Sequence, residues 1–192
     1  MRYLFLVVLG CSLLADMEQV AAQPLVSPLY SIDFFGVEEG LPGQQVYDIE
    51  QTSDGYLWVA TNAGLARFDG LRFTTFDSTR TGIPTVSRIT ALYRNRADTL
   101  FFATWRGQIL SYSAGKFSMY LRFSQELVGM GVADLTQDSA SRIVAPLGGG
   151  AGLAREDRGV LHRIDTELGE HLLTTNIYTD VFGSVWVGAG ES

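Results

Sequence analysis

The sequence predicts an all-β protein built from small antiparallel sheets that repeat along the chain. Apolar strands recur at a steady spacing, turn residues recur in phase with them, and no sustained helical period appears after the N-terminal segment. The segment Leu-Trp-Val-Ala-Thr at 57–61 returns in related form at 100–104, 143–147 and 185–189, at intervals of 43, 43 and 42 residues. A repeat of this length that holds about four strands is typical of a propeller blade, so we predict a β-propeller.

The first complete repeat shows why its residues form strands and turns. Ser53-Asp54-Gly55 is a turn, because Gly adopts positive φ without strain and Asp bonds its own backbone. Asp69-Gly70 is a hairpin signal. Residues 57–60 are apolar throughout, which is the pattern of a strand covered on both faces. We therefore expect four strands, over 46–51, 57–60, 65–68 and 71–76.

The same residues resemble a known repeat family. Gly-Leu-Pro at 40–42, Asp-Gly-x-Leu-Trp-Val-Ala-Thr at 54–61 and Gly-Leu-x-Arg-Phe-Asp-Gly at 64–70 are similar to the two-component regulator propeller repeat. The second and third repeats match less closely, and the fourth stops early. The resemblance implies that this chain is part of the periplasmic sensor propeller of a bacterial hybrid histidine kinase or diguanylate cyclase.

The N-terminus predicts export. A basic start precedes a short apolar segment, and Val20 and Ala22 fit the −3 and −1 positions of a cleavage site, so residues 1–22 read as a signal peptide. An uncleaved anchor and lipidation of Cys11, the only cysteine, are the alternatives. Residues 23–29 are a linker. We expect a location in the periplasm or on the extracytoplasmic face of the inner membrane.

Residues 30–192 are predicted to form about three and a half blades of an incomplete ring. Residues 30–35 should be the closing, outermost strand of a last blade. Closed propellers typically have about four to eight blades, so we expect a fragment of a longer protein, with a four-bladed ring lacking one strand as the alternative. The predicted blades cover 41–77, 83–121, 127–165 and a truncated 172–192.

Composition argues against several functions. The formal net charge is −7 and no basic cluster is present, which argues against nucleic acid as a partner. The two histidines, His162 and His171, show no metal-ligand spacing, so neither a metal nor a cofactor is expected. The glycine run at 148–152 falls where a blade turn is expected, which we prefer to an anion-binding loop. We find no catalytic constellation.

A candidate ligand face follows from strand direction. Neighbouring strands of a blade run in opposite directions. The connection that enters the first strand and the turn that follows the second strand should therefore lie on the same side of the blade. Trp105 is in phase with Asn62 and is followed by Arg106, a pair suited to a sugar ring or an acidic group. Covering an adjacent blade is the alternative role for Trp105. The candidate ligand residues are Gln44, Gln45, Asn62, Arg80, Trp105 and Arg106.

The resemblance implies a non-enzymatic sensor domain for a small molecule or a carbohydrate. It also implies a homodimeric complete receptor that reaches the membrane only through a helix further along the protein, with a kinase or cyclase output domain. The alternatives are a propeller enzyme of the streptogramin-lyase type and a non-catalytic propeller adaptor.

Overall fold

A computed structural model describes residues 32–83, 88–164 and 173–190. The predicted signal peptide and linker lie outside these residues, as does His171. The strands all belong to the unit that begins at Phe35. Of the unit before it, only residues 32–34 are described, and they form no strand.

The first blade confirms the predicted strands. Its four strands are antiparallel and paired in chain order. Every strand is entered or left through a tight turn, and Gly55 and Gly70 adopt the positive φ that these turns require (88° and 96°). The strands are β1 (Val46–Gln51), β2 (Leu57–Thr61), β3 (Gly64–Phe68) and β4 (Phe73–Phe76). A short helix, α1 (Ser78–Thr81), follows and is capped by Asp77.

Two more four-stranded blades and part of a fourth follow. The second blade holds β5 (Ile89–Arg94), β6 (Leu100–Thr104), β7 (Ile109–Ser113) and β8 (Lys116–Phe123). The third holds β9 (Thr136–Gln137), β10 (Ile143–Pro146), β11 (Leu153–Asp157) and β12 (Val160–Ile164). The fourth holds β13 (Leu173–Thr179) and β14 (Val185–Gly190). The all-β propeller prediction, with about three and a half blades, is confirmed.

The second and third blades are joined at their outer edges, which the sequence did not predict. The eight-residue strand β8 continues past the expected end at Leu121, and its last residues pair in parallel with the start of β12. Ser124 N extends this contact by donating to Leu161 O at 3.0 Å. The two blades therefore form one eight-stranded sheet.

The closing strand predicted at 30–35 is not formed in the described residues. Residues 32–36 have no strand pairing, because such a strand needs a partner blade outside the described part of the chain. Phe35 packs edge-on against Phe68, with ring centroids 4.8 Å apart. The closing role stays a prediction.

The apolar core lies between consecutive blades. Between blades 1 and 2, Trp58 and Leu65 pack against Phe102 and Leu110. The cluster between blades 2 and 3 is the larger one and includes Phe101 and Ile143 from the second strands of the two blades. A smaller cluster joins blades 3 and 4. The second strands of the first three blades thus bury side chains on both of their faces, as their apolar sequences predicted.

Trp58 and Trp186 occupy the same repeat position in different surroundings. Trp58 is fully buried, with its ring centroid 4.6 Å from that of Tyr112 in the next blade. Residues 185–189 repeat the buried-strand pattern of 57–61, which predicts that Trp186 also packs between blades, but 63% of Trp186 is exposed. The prediction is wrong for Trp186 in the described residues, because no described strand follows β14 to cover it.

Two carboxylates, Asp48 in β1 and Asp134 two residues before β9, accept hydrogen bonds from the first strand of the next blade. Asp48 Oδ2 accepts from Leu92 N at 2.7 Å, and Asp134 Oδ2 accepts from Ile177 N at 2.9 Å. Burial raises the pKa of Asp48, although the N–H groups of Leu92 and Ile49 oppose the shift. Burial likewise raises the pKa of Asp134, and the charge of Asp48 adds to that shift.

We predict that Trp58→Ala removes about 3 to 5 kcal/mol of unfolding free energy, because it opens a cavity between two blades. Trp186→Ala is the matched control in the same 192-residue chain and should cost less than about 1 kcal/mol, because most of its ring faces solvent. Urea unfolding followed by circular dichroism measures both. If both variants lose the same unfolding free energy, burial between blades does not determine how much each tryptophan stabilises the fold.

A second prediction concerns the charge of Asp48 and Asp134, which are half-buried. The raised pKa values mean that the folded chain binds protons more tightly, so stability should fall as pH rises from about 3.9 through the raised values. The D48N/D134N variant removes both charges and keeps one side-chain oxygen at each position, which can accept from Leu92 N or Ile177 N across the blade boundary. It should lose this pH dependence and be at least as stable as the wild type at pH 7.

The D48A variant is the comparison for the amide substitutions. It leaves Leu92 N without its acceptor and should cost about 1 to 3 kcal/mol. Urea unfolding between pH 3.5 and 7 measures all three proteins. If D48N/D134N proves as unstable as D48A at pH 7, the negative charge itself is required.

Candidate functional site

A backbone hydrogen bond recurs on one side of the first three blades. Asn62 N donates to Gln45 O at 3.0 Å, and Trp105 N donates to Arg88 O at 3.0 Å. Gly148 N donates to Gly131 O at 2.8 Å. Each bond joins the connection that enters a blade to the turn that leaves its second strand. These loops therefore share one side, the connection face, as strand direction predicted.

Five side chains form a continuous group on this face, the connection-face cluster. Asn62 Oδ1 accepts from Gln45 N at 3.3 Å, and the Tyr47 hydroxyl donates to Gln45 Oε1 at 3.0 Å. The Arg88 guanidinium carbon lies 5.3 Å from the Tyr47 ring centroid and 3.9 Å from that of Trp105. The cluster therefore runs from blade 1 to blade 2.

The surroundings of Trp105 fit both roles that the sequence left open. Half of it is exposed (50%), as a ligand contact requires. Its ring also lies beside Gly131, where an added β-carbon would stand 3.3 Å from Cε3. Gly131 belongs to the connection that enters blade 3, so Trp105 covers part of the neighbouring blade. Whether it contacts a ligand stays a prediction.

The remaining candidates are less closely grouped. Gln44 and Arg106 are exposed beside Gln45 and Trp105 respectively. Arg80 is in α1, and its Nη1 donates to Thr75 O at 3.3 Å. Since Thr75 is in the outermost strand β4, Arg80 is held at the outer edge of blade 1. The structure thus brings Gln45, Asn62 and Trp105 into one cluster and leaves Arg80 out.

Sequence reasoning missed two members of the cluster, Tyr47 and Arg88. Arg88 was detectable, because it precedes Trp105 by the same 17 residues that separate Gln45 from Asn62. Its backbone is left-handed, with φ at 48°, which is uncommon for a residue with a side chain. Its Nε is buried and has no hydrogen-bond partner among the described residues.

On the opposite side of the blades, aspartate side chains accept hydrogen bonds from the backbone of their own turns; we call these self-bonded turns. Asp138 Oδ1 and Asp180 Oδ1 accept from backbone N–H groups two and four residues further on. The Trp186 indole N–H is the main cause that lowers the pKa of Asp180. Ser53 lowers the pKa of Asp98 by donating its Oγ and N across the blade boundary, at 2.5 and 2.9 Å. The sequence assigned such aspartates to backbone bonding, which the contacts of Asp138 and Asp180 support.

A cavity of about 390 Å³ lies on that opposite side. It lies among the turns that follow the first strands of blades 2 to 4. Its lining includes Tyr93, Arg96, Gln137 and Phe182, together with the self-bonded Asp138 and Asp180. The two carboxylates already accept hydrogen bonds at both oxygens, so they have little left to offer a ligand.

Two searches for other features found nothing in the described part of the chain. No group of three or more His, Cys, Asp or Glu side chains is arranged to hold a metal ion in residues 32–83, 88–164 and 173–190. Within the same residues, no helix has the length and apolar character needed to cross a bilayer.

The fold and the connection face define a β-propeller with loops from neighbouring blades gathered on one side. Residues 40–63 match the family model described as Two component regulator propeller. The first blade of this chain therefore carries a two-component regulator propeller repeat, which confirms the resemblance seen in the sequence. The chain has no significant match among curated protein sequences.

Solved structures support the same class. The extracellular domain of a protein described as a hybrid two component system, from B. thetaiotaomicron, superposes with a TM-score of 0.64 and 24% identity, covering 83% of this chain and 24% of that one. A second such domain from the same organism gives a TM-score of 0.62 and 22% identity, covering 81% and 22%.

A streptogramin B lyase structure gives a TM-score of 0.61 and 18% identity, covering 77% of this chain and 49% of that one. At these identities the likeness shows the fold alone. The chain spans about a quarter of the length of the two extracellular domains that it matches.

Proposed function

We propose that this chain is the extracytoplasmic ligand-sensing propeller of a bacterial two-component-type signalling receptor. The observation that carries the proposal is the connection-face cluster, in which a half-exposed Trp105 and Arg88 lie together at a boundary between blades. The regulator propeller repeat at 40–63 and the likeness to extracellular domains of signalling proteins support it. The ligand is a small molecule or a carbohydrate.

The cluster is built to couple binding to the packing of blades. Tyr47 comes from blade 1, Arg88 and Trp105 from blade 2, and Gly131 precedes blade 3. A ligand on Trp105 would contact residues from more than one blade. It would favour the arrangement of blades that it fits best, and a signal is such a shift in populations.

The complete receptor, in this proposal, is a homodimer. Beyond the propeller it continues into a membrane helix and a histidine kinase or diguanylate cyclase domain. Export through the segment 1–22 places the propeller outside the cytoplasm. In this proposal the propeller binds its ligand and does not transform it, in keeping with a cluster that holds no carboxylate, imidazole or thiol side chain. A streptogramin-lyase-type enzyme therefore has no observation in its favour beyond the shared fold.

The test uses the full-length gene and its output. The coding sequence beyond residue 192 should encode more propeller repeats, a membrane helix and a kinase or cyclase domain. A reporter strain carrying the full-length protein is first screened with a panel of mono- and oligosaccharides and small metabolites for compounds that activate the output.

Trp105→Ala should then raise the concentration for half-maximal response about 5- to 150-fold, which corresponds to the loss of a binding aromatic worth about 1 to 3 kcal/mol. Phe182→Ala is the matched control, since it removes an aromatic that is 91% exposed on the opposite side. The proposal fails if the coding sequence lacks a membrane helix and an output domain. It also fails if Trp105→Ala responds as the wild type does.

A further inference from the structure

We infer that Arg88 is the anion-binding residue of the connection face and that the sensed ligand carries a carboxylate group. This inference rests on the sensing function proposed above and names the chemical class of its ligand. Arg88 is not among the ligand residues that the sequence predicted.

The first support is a missing counter-charge. The salt bridges among the described residues involve Arg72, Arg94 and Arg142, so Arg88 lacks a carboxylate partner there, as the remaining described arginines do, and its buried Nε sets it apart. An arginine cannot lose its proton in a protein, so its charge must be balanced by solvent or by a partner. The Nε of Arg88 is withdrawn from solvent and has no acceptor in the described part of the chain. Buried polar groups in that state are uncommon and call for an explanation.

The second support is a backbone conformation that the fold does not require. Gln45 and Gly131 hold the same repeat position in blades 1 and 3 and make the same backbone bond, yet neither has a positive φ. Arg88 alone of the three is left-handed, which costs about 1 to 2 kcal/mol for a residue with a β-carbon. Strain of this kind concentrates at ligand-binding positions.

The third support is the orientation of the guanidinium. Its carbon lies 3.9 Å from the Trp105 centroid, so the indole restrains the plane of the group. A restrained fork loses less entropy when it pairs with the two oxygens of a carboxylate. With its carboxylate on Arg88, the ligand would place its remaining atoms beside the exposed half of Trp105. The pair thus supplies a charged contact and an apolar contact within one small area.

There is also room beside the pair. The turn between β10 and β11 is on the same face and includes Gly148, Gly149 and Gly150. A β-carbon added at Gly149 would meet nothing within 4 Å. These three residues carry no side chains, and the space next to Gly149 on the connection face is open to a ligand.

The experiment uses the full-length chain and a panel of small carboxylic acids, including D-glucuronate, each paired with its uncharged primary amide. Saturation-transfer NMR selects the compounds that bind, and calorimetry measures their Kd. We expect the acids to bind about 10- to 150-fold more tightly than their amides, as charge-assisted hydrogen bonds provide. Arg88→Gln should abolish that preference, and Arg88→Lys should keep part of it. Arg80→Gln, which removes an arginine outside the cluster, should leave the preference unchanged.

The outcomes separate this inference from the proposed function. If acids and amides bind alike and Trp105→Ala weakens both, the connection face binds a neutral ligand and the role of Arg88 is wrong. If Arg88→Gln keeps the preference for acids, the anion is bound elsewhere and the inference is also wrong. If no pair binds the wild type, the carboxylate class is overturned, while the reporter response to Trp105→Ala still decides the sensing function.

Discussion

Burial of apolar side chains between consecutive blades is the constraint on which the rest of this structure depends. Each blade is only four strands wide, so its sheet is too small to form a core alone and must cover both faces with its neighbours. Trp58 shows the effect, because its ring is enclosed only when Tyr112 of the next blade is present. The half-buried carboxylates of Asp48 and Asp134 add polar contacts across the same kind of boundary.

The same stacking creates the candidate site. Because the first three blades repeat the backbone bond between the entering connection and the turn after the second strand, these loops are held in register on one side. Residues at those positions are free to differ while the backbone stays constant. Blade 1 places Gln45 and Asn62 there, blade 2 places Arg88 and Trp105, and blade 3 places only glycine. The side chains on this face therefore differ from blade to blade while the backbone that carries them stays the same, which is the arrangement expected of a binding face.

The strands were predictable because burial fixes their pattern. A second strand covered on both faces must be apolar throughout, and that pattern recurs at 57–61, 100–104 and 143–147. The edge pairing of β8 with β12 was not predictable, since it depends on how far one strand runs beyond its blade. Arg80 was misplaced for a similar reason, because Asp77 begins a short helix there. Tyr47 and Arg88 were missed because their contacts cross a blade boundary, which a reading within one repeat does not show.

Hydrogen exchange of the native 192-residue chain, followed by mass spectrometry, tests the central role of burial between blades most directly. The amides of β6 and β10 should exchange most slowly, because their blades are covered on both faces. The amides of β14 should exchange faster by at least about tenfold, since the strand carries the exposed Trp186 and has no described neighbour on that side. Exchange in β14 as slow as in β6 and β10 would contradict the account, because protection would then not depend on a neighbouring blade.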